Sequence, residues 1–252
     1  MTWEVDLSGS TALVTGASRG IGRAIALGLA RAGCDVIGLA RRKQALDDLG
    51  DEVAAIGRRY LALPADLADA AGLEAVAAQA WSWSGRVDVL VNVAGVIVRT
   101  DPPAVVPEDW DRTFAVNVRG PFFLTQAIGA RMLAAGGGSI VNLASVAGEH
   151  VTRASLSYQA SKAALLQLTR GLAVRWAPAV RVNAVGPGYV RTDLNSAWLD
   201  QPANRDYVLG NTPLGRVGEP ADVVGAVTFL ASPAAAYVTG QHLRIDGGWS
   251  AR

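Results

Sequence analysis

Short runs of consecutive apolar residues alternate along the chain with longer segments rich in Ala and Leu. Residues 11–15, 35–39, 87–91, 139–143, 180–185 and 242–245 form β-branched, nearly continuous apolar runs, and 60–63 is a weaker run of the same kind. Continuous rather than alternating hydrophobicity is what strands covered on both faces require. The intervening segments, about 21–32, 43–57, 70–83, 107–135, 156–176 and 220–230, have the length and composition of helices. Strand–helix alternation of this kind predicts an α/β fold with helices on both faces of a parallel sheet. Seven strands match a doubly wound sheet whose ligand crevice lies at the strands' carboxyl ends. No internal repeat, low-complexity tract or linker interrupts the pattern, so residues 1–252 read as one domain. The one irregular stretch, about 188–219, holds Pro, Gly, Asn and Trp, and a connection that long is expected to be a lid or substrate loop.

Half of the residues are apolar and 18% are charged, enough to build a substantial core. A formal net charge of +1 argues against electrostatic capture of nucleic acid or of an anionic membrane. The lone cysteine, Cys34, rules out an internal disulfide framework, suits a reducing cytoplasm and reads as a small core residue. Met1–Asp6 carries acidic residues where a signal peptide needs cations, and no uninterrupted apolar run reaches the roughly 18 residues of a spanning helix. A soluble cytoplasmic protein is expected. The two histidines, His150 and His242, stand too far apart to suggest a metal site. His242 reads as structural, and Trp81 and Trp83, at a helix end, as packing.

The first strand runs into Thr15-Gly16-Ala17-Ser18-Arg19-Gly20-Ile21-Gly22, and a helix follows at once. Glycines at 16, 20 and 22 let the backbone turn sharply and approach a pyrophosphate, whose charge then faces the amides of the next helix. The spacing is G-x-x-x-G-x-G rather than the common G-x-G-x-x-G. An NAD enzyme places a ribose-binding acid near the end of the second strand; here Ala40-Arg41-Arg42 stands instead. Two guanidinium groups without a carboxylate favour a 2′-phosphate, and Arg19 is positioned to join them, so NADP(H) is favoured over NAD(H). Asp66-Leu67 follows the third strand, where an acid can accept from the adenine amino group. Asn92-Val93-Ala94-Gly95 ends the fourth and leaves room for adenosine. Pro187, Gly188, Val190 and Thr192 follow the sixth, with amides and a hydroxyl for carboxamide and phosphate.

Tyr158 and Lys162 are four apart on a predicted helix and project from one face. A phenol of pKa about 10 is a poor base at neutral pH. A nearby ammonium, together with a positive nicotinamide, favours the phenolate. The phenol can then exchange a proton with an alcohol or carbonyl while hydride moves. Ser145 ends the fifth strand and can hydrogen-bond the same oxygen as charge develops. Asn117, in the helix after the fourth strand, can hold a water linking Lys162 to solvent. Taken together, Thr15-Gly16…Gly20-Ile21-Gly22, Asn92-Val93-Ala94-Gly95, Asn117, Ser145, Tyr158-x-x-x-Lys162 and Pro187-Gly188 resemble the short-chain dehydrogenase/reductase family over almost the whole chain.

The resemblance implies a Rossmann-type sheet in the order 3-2-1-4-5-6-7 and a Ser-Tyr-Lys-Asn tetrad. In it Tyr158 is the acid/base and Ser145 polarises the substrate oxygen. Lys162 holds the ribose hydroxyls and lowers the tyrosine pKa, and Asn117 carries the proton relay. It also implies a homotetramer, or less often a homodimer, built on the two long helices and the C-terminal strand. Val93 departs from the pattern, the family often having a second Asn there.

Residues 29–35, 56–60, 212–216 and 246–252 further resemble sugar-acid dehydrogenases of the 2-deoxy-D-gluconate 3-dehydrogenase and gluconate 5-dehydrogenase type. A sugar acid needs a cation for its carboxylate, and Arg99, His150 and Arg153 are the candidates. Tyr189 and Trp198 are placed to close over substrate from the irregular stretch. The expected function is hydride transfer between NADP(H) or NAD(H) and a small-molecule carbonyl or secondary alcohol. Two alternatives are less well supported by the sequence. A 3-oxoacyl thioester or general ketone reductase gains nothing from a near-neutral charge. A nucleotide sensor without catalysis would lack part of the tetrad.

Overall fold

The computed structural model describes residues 5–251, so the reading made on the first residues and on Arg252 lies outside the described residues, in part for the former. The seven strands are β1 (Thr11–Thr15), β2 (Asp35–Ala40), β3 (Tyr60–Pro64), β4 (Val89–Asn92), β5 (Gly138–Leu143), β6 (Val180–Pro187) and β7 (His242–Ile245). All neighbours pair in parallel, in the order β3-β2-β1-β4-β5-β6-β7. The order reverses between β1 and β4, which pair with Ala12 opposite Val89, and a doubly wound sheet opens its crevice at that point.

The central strands β1, β2 and β4 are nearly continuous apolar runs because both of their faces are covered. In β1, Ala12 and Val14 join one apolar cluster while Leu13, between them, joins the other. The first cluster is closed by α1 (Gly20–Arg31), α2 (Lys43–Ala55) and α9 (Pro220–Ala231), through Ile25, Leu29, Leu49 and Val227. The second is closed by α3 (Leu73–Ser84) and α5 (Gly120–Ala134), with Leu124 and Ile128 against Leu13, Ile37 and Leu90. Trp81 and Trp83 pack on this second cluster, and Cys34 is buried in the first. Local chemistry sets the helix ends. Pro220 opens α9 behind a reciprocal Glu219/Asp222 capping box, and Gly85 ends α3 at φ 73°, a left-handed conformation that glycine adopts without penalty.

Two predicted segments differ. The single helix expected over 107–135 is α4 (Pro107–Phe114), a π-turn over Ala115–Arg119, and then α5. Pro121 has no N–H to donate to the carbonyl of Asn117, and its ring crowds that oxygen, so the turn widens there. The stretch expected to be irregular holds α7 (Ser196–Leu199) and α8 (Pro202–Gly210), and an isolated parallel bridge between Val190 and Gly218 ties its two ends together. The remaining long helix is α6 (Leu156–Trp176).

Candidate active site

A cleft of about 310 Å³ lies across the carboxyl ends of the central strands. Its floor is built by close backbone approach. Gly16 (φ 66°) and Gly20 (φ 52°) occupy left-handed conformations, and a side chain at Gly16 would stand 2.9 Å from the Ala94 Cα. A side chain at Gly22 would collide with the Gly16 carbonyl oxygen, so the third glycine lets α1 start directly beneath the turn. The first turn of α1 carries no acidic residue and no side-chain cap, which leaves its amides directed at the cleft. Thr15 Oγ1 accepts from the amides of Val93 (2.9 Å) and Ala94 (3.1 Å), tying the end of β4 to β1.

Arg19, Arg41 and Arg42 all line this cleft with Ser18, Ile21, Asp66 and Leu67. Arg19 is 3.4 Å from Asp193, and Arg41 Nη1 is 3.9 Å from Asp66 Oδ2, while Asp66 Oδ1 accepts from the Ala68 amide at 3.0 Å. Ala94, Gly95, Pro187, Gly188, Val190 and Thr192 complete the predicted wall. Asn92 does not reach it. Its amide nitrogen donates to Thr125 Oγ1 and Asn142 Oδ1, both at 2.8 Å, because strand alternation turns residue 92 toward α5. Asn92 is therefore a buried staple between β4, β5 and α5, and the backbone of 94–95 is what faces the cleft. Arg112 and Val116, on one face of α4 and the π-turn, also line the cleft, as do Asp193, Leu194 and Asn195. The four-residue spacing of Arg112 and Val116 was visible in the sequence, but the widened turn that aims them was not.

The glycine floor, the uncapped helix start and the cations fit a dinucleotide bearing an extra phosphate. The cleft ends at Ser145, Tyr158 and Lys162. Lys162 is 3% exposed, and its Nζ donates to the Leu143 carbonyl at 2.6 Å; burial pulls its pKa down to about 8. Asn117 is held from three sides. Its Oδ1 accepts from the Val96 amide (2.8 Å), and its Nδ2 donates to the Val96 carbonyl (3.0 Å) and to Ser161 Oγ (3.0 Å). A methyl group at Gly95 would stand 3.4 Å from Asn117 Oδ1 and 3.6 Å from Lys162 Nζ, so Gly95 keeps the space between them open. Tyr158 is pushed above the ordinary phenol value by burial, against the hydrogen bond with Ser145 and the positive charge of Arg99. Ser145 Oγ also accepts from the Ala147 amide at 3.1 Å, which fixes the hydroxyl at the mouth of β5.

A smaller cavity of about 90 Å³ opens on the other side of Ser145 and Tyr158. Arg99, Arg153, Tyr189 and Trp198 all line it, together with Ile97 and Asn195. The Arg99 guanidinium lies over the Trp198 ring at 5.0 Å, and Trp198 stacks on Tyr189 at 5.7 Å with their planes 12° apart. Arg153 lies over Tyr207 at 3.9 Å and donates to Asn204 Oδ1 at 3.3 Å. No Asp or Glu lines the cavity. His150 lines neither cavity. The helical turn at Val146–Gly148 directs it toward β7, where its Nε2 is 3.4 Å from Arg244 and its ring meets Trp249 edge-on. His242 is enclosed, its Nδ1 3.0 Å from Glu149 Oε2 without hydrogen-bond geometry, and burial outweighs that carboxylate in lowering its pKa. No group of three or more metal-ligating side chains occurs among the described residues, and no helix among them is long and apolar enough to cross a membrane.

The family described as Enoyl-(Acyl carrier protein) reductase matches residues 16–250. The 2-dehydro-3-deoxy-D-gluconate 5-dehydrogenase of Dickeya dadantii (strain 3937) is 40% identical, covering 98% of both chains. The galactitol 2-dehydrogenase (L-tagatose-forming) of Cereibacter sphaeroides is 43% identical over 97% of this chain and 96% of its own. The crystal structure of a gluconate 5-dehydrogenase from Burkholderia cenocepacia J2315, in complex with NADP and tartrate, superposes with a TM-score of 0.95 at 36% identity, covering 99% of this chain and 98% of that one. The chain belongs to the short-chain dehydrogenase/reductase family. It is an NAD(P)-dependent oxidoreductase acting on the CH–OH group of its donor.

Proposed function

We propose that the enzyme interconverts a sugar acid of the gluconate type and its keto form, with NADP(H) as the preferred cofactor. The observation that carries the substrate class is Arg99. Its guanidinium lines the same small cavity as Tyr158 and Ser145 and has no carboxylate partner among the described residues. A guanidinium that lines the reacting cavity without a counter-ion is an incomplete pair, and a substrate carboxylate completes it. Relatives that act on sugar acids and on neutral polyols are similarly close, and this unpaired charge favours the acid. Arg153 at the rim and the stacked Tyr189 and Trp198 supply further donors and an apolar wall. The cofactor preference rests on Arg19, Arg41 and Arg42, which line the cleft where strand β2 carries no ribose-binding acid. Gly16, Ser18, Gly20, Ile21, Gly22, Asp66, Leu67, Ala94, Gly95, Pro187, Gly188, Val190 and Thr192 line the rest of the site for it.

When bound, the cofactor supplies the carbon that accepts or returns hydride. In the oxidative direction the Tyr158 phenolate takes the proton of the substrate hydroxyl. Ser145 holds the same oxygen by a hydrogen bond, and the carbonyl forms as hydride leaves. Lys162, anchored on the Leu143 carbonyl, keeps a positive charge within reach of the ribose and of Tyr158; its ammonium lies 5.6 Å from the phenol ring centre. Asn117, locked on Val96 and Ser161, holds the far end of the proton route. The whole chain acts as one domain, with residues 188–219 as its substrate loop. A homotetramer, or else a homodimer, is supported by Phe123, Leu156 and Val174, large apolar side chains left exposed on α5 and α6. A cytoplasmic setting is supported by cysteine usage, the single Cys34 forming no disulfide.

Turnover of gluconate, deoxygluconate, neutral polyols of matched length, cyclic ketones and a 3-oxoacyl thioester, followed by nicotinamide absorbance, tests this reading. One charge-assisted contact gives the acid an advantage in kcat/KM of about ten- to a hundredfold over the polyol. Equal or better turnover of polyols, or activity confined to ketones or thioesters, contradicts it.

A further inference from the structure

Arg99 stands beside the reacting phenol as well as beside the substrate's expected acid group, and these two relations are not independent. The cavity it shares with Tyr158 and Ser145 measures only about 90 Å³. Its planar head rests on Trp198, which is stacked on Tyr189. The groups that face Tyr158 come from four elements. Lys162 is on its own helix, Arg99 is in the loop after β4, Ser145 is at the end of β5, and Tyr189 follows β6; Arg153 lines the rim of the same cavity. Lys162 is spoken for by the Leu143 carbonyl at 2.6 Å. Arg99 is the one cation facing the phenol that has no acceptor among the described residues and that a substrate can neutralise.

We propose that Arg99 links substrate charge to the proton step: free, its guanidinium stabilises the Tyr158 phenolate, and a carboxylate docked on it withdraws that support. An acid substrate would thus meet a tyrosine that holds its proton more firmly than a neutral polyol does. The consequence is directional. With a keto acid bound, Tyr158 is a protonated donor at neutral pH, ready to give its proton to the carbonyl oxygen as hydride arrives at carbon. With a neutral alcohol bound, the same residue is the better base. The proposal rests on the reading above that Arg99 receives the acid group. Its effect is electrostatic and acts through Tyr158, and the burial-raised phenol, opposed by Ser145 and Arg99, agrees with it.

The test is a spectroscopic titration of the Tyr158 phenolate in the full-length protein saturated with NADP, taken as the difference from Tyr158→Phe so that the other tyrosines cancel. Removing an opposite charge at this range, in Arg99→Gln, moves the titration upward by about one pH unit, and Arg99→Lys, which keeps the charge, restores most of it. Tartrate, a hydroxy acid, moves the wild-type titration upward and leaves that of Arg99→Gln where it is. A titration unmoved in Arg99→Gln overturns the proposal even if gluconate is turned over. So does tartrate that quenches Trp198 fluorescence in wild type yet leaves the phenol unmoved. Tartrate that binds wild type and Arg99→Gln equally removes the carboxylate reading of Arg99, and with it the response to substrate charge. In that event the difference between wild type and Arg99→Gln still decides whether this cation supports the phenolate.

Discussion

Lys162 bears the clearest thermodynamic mark of function in the molecule. A lysine at 3% exposure with its pKa drawn down from 10.5 to about 8 holds its charge at neutral pH against a desolvation penalty. The penalty is present below the folded value of about 8, where both states are protonated, and fades as pH rises toward 10.5. Lys162→Met should therefore be more stable than wild type at pH 6, by up to about 3 kcal/mol less the bond lost to the Leu143 carbonyl. The gain should shrink between pH 8 and 10.5 while activity is lost throughout. Denaturant melts at both pH values check this, and a variant less stable than wild type at pH 6 contradicts it. At this scale much of the site was legible. The i, i+4 spacing of Tyr158 and Lys162 and the glycine pattern each encode a geometry that local structure fixes. Asn92 stands at a strand end, which suggests the cleft, but its parity turns it toward α5 instead. Leu90 and Asn92 share the face that packs on α5, so the alternation itself carried the answer. His150 was harder to place, since the direction of a loop after one helical turn depends on contacts with β7 that lie far along the chain.

Elements were legible where propensity and burial agree and less so where a single residue overrides its neighbours. The long helix predicted over 107–135 breaks because Pro121 denies Asn117 a helical donor, and the widened turn is what lets Asn117 clasp Val96 and Ser161. Residues 188–219 read as irregular from their composition, yet α7 and α8 carry Trp198 and Tyr207, on which Arg99 and Arg153 rest. Cofactor choice belongs to the turn between β2 and α2. Arg41 and Arg42 line the cleft there, and Arg41 lies only loosely against Asp66, at 3.9 Å, so both are available to a phosphate. Arg41→Asp with Arg42→Ser should lower kcat/KM for NADP by at least about a hundredfold, as loss of two charge-assisted contacts implies, and should spare or improve NAD. An unchanged cofactor ratio would refute the role of the pair.

For the whole molecule, the alternation of apolar runs and helices was sufficient to specify seven parallel strands, and the crevice followed from where the strand order reverses. Arg99, Arg153, Tyr189 and Trp198 were each legible as substrate candidates, but not the small cavity they share, because they come from three separate stretches of chain that only the closed fold brings to Tyr158. At this scale one cleft fits a dinucleotide, and the cavity proposed to take a small acid lies on the other side of Tyr158 and Ser145. The claim that binds these parts together is that Tyr158 moves the proton. The most direct measurement is nicotinamide absorbance with gluconate and NADP for wild type and Tyr158→Phe, alongside fluorescence titration of NADPH into each. Loss of a positioned acid/base should lower turnover by about a hundred- to ten-thousandfold while NADPH affinity stays within about twofold. Turnover of Tyr158→Phe within tenfold of wild type would contradict the account.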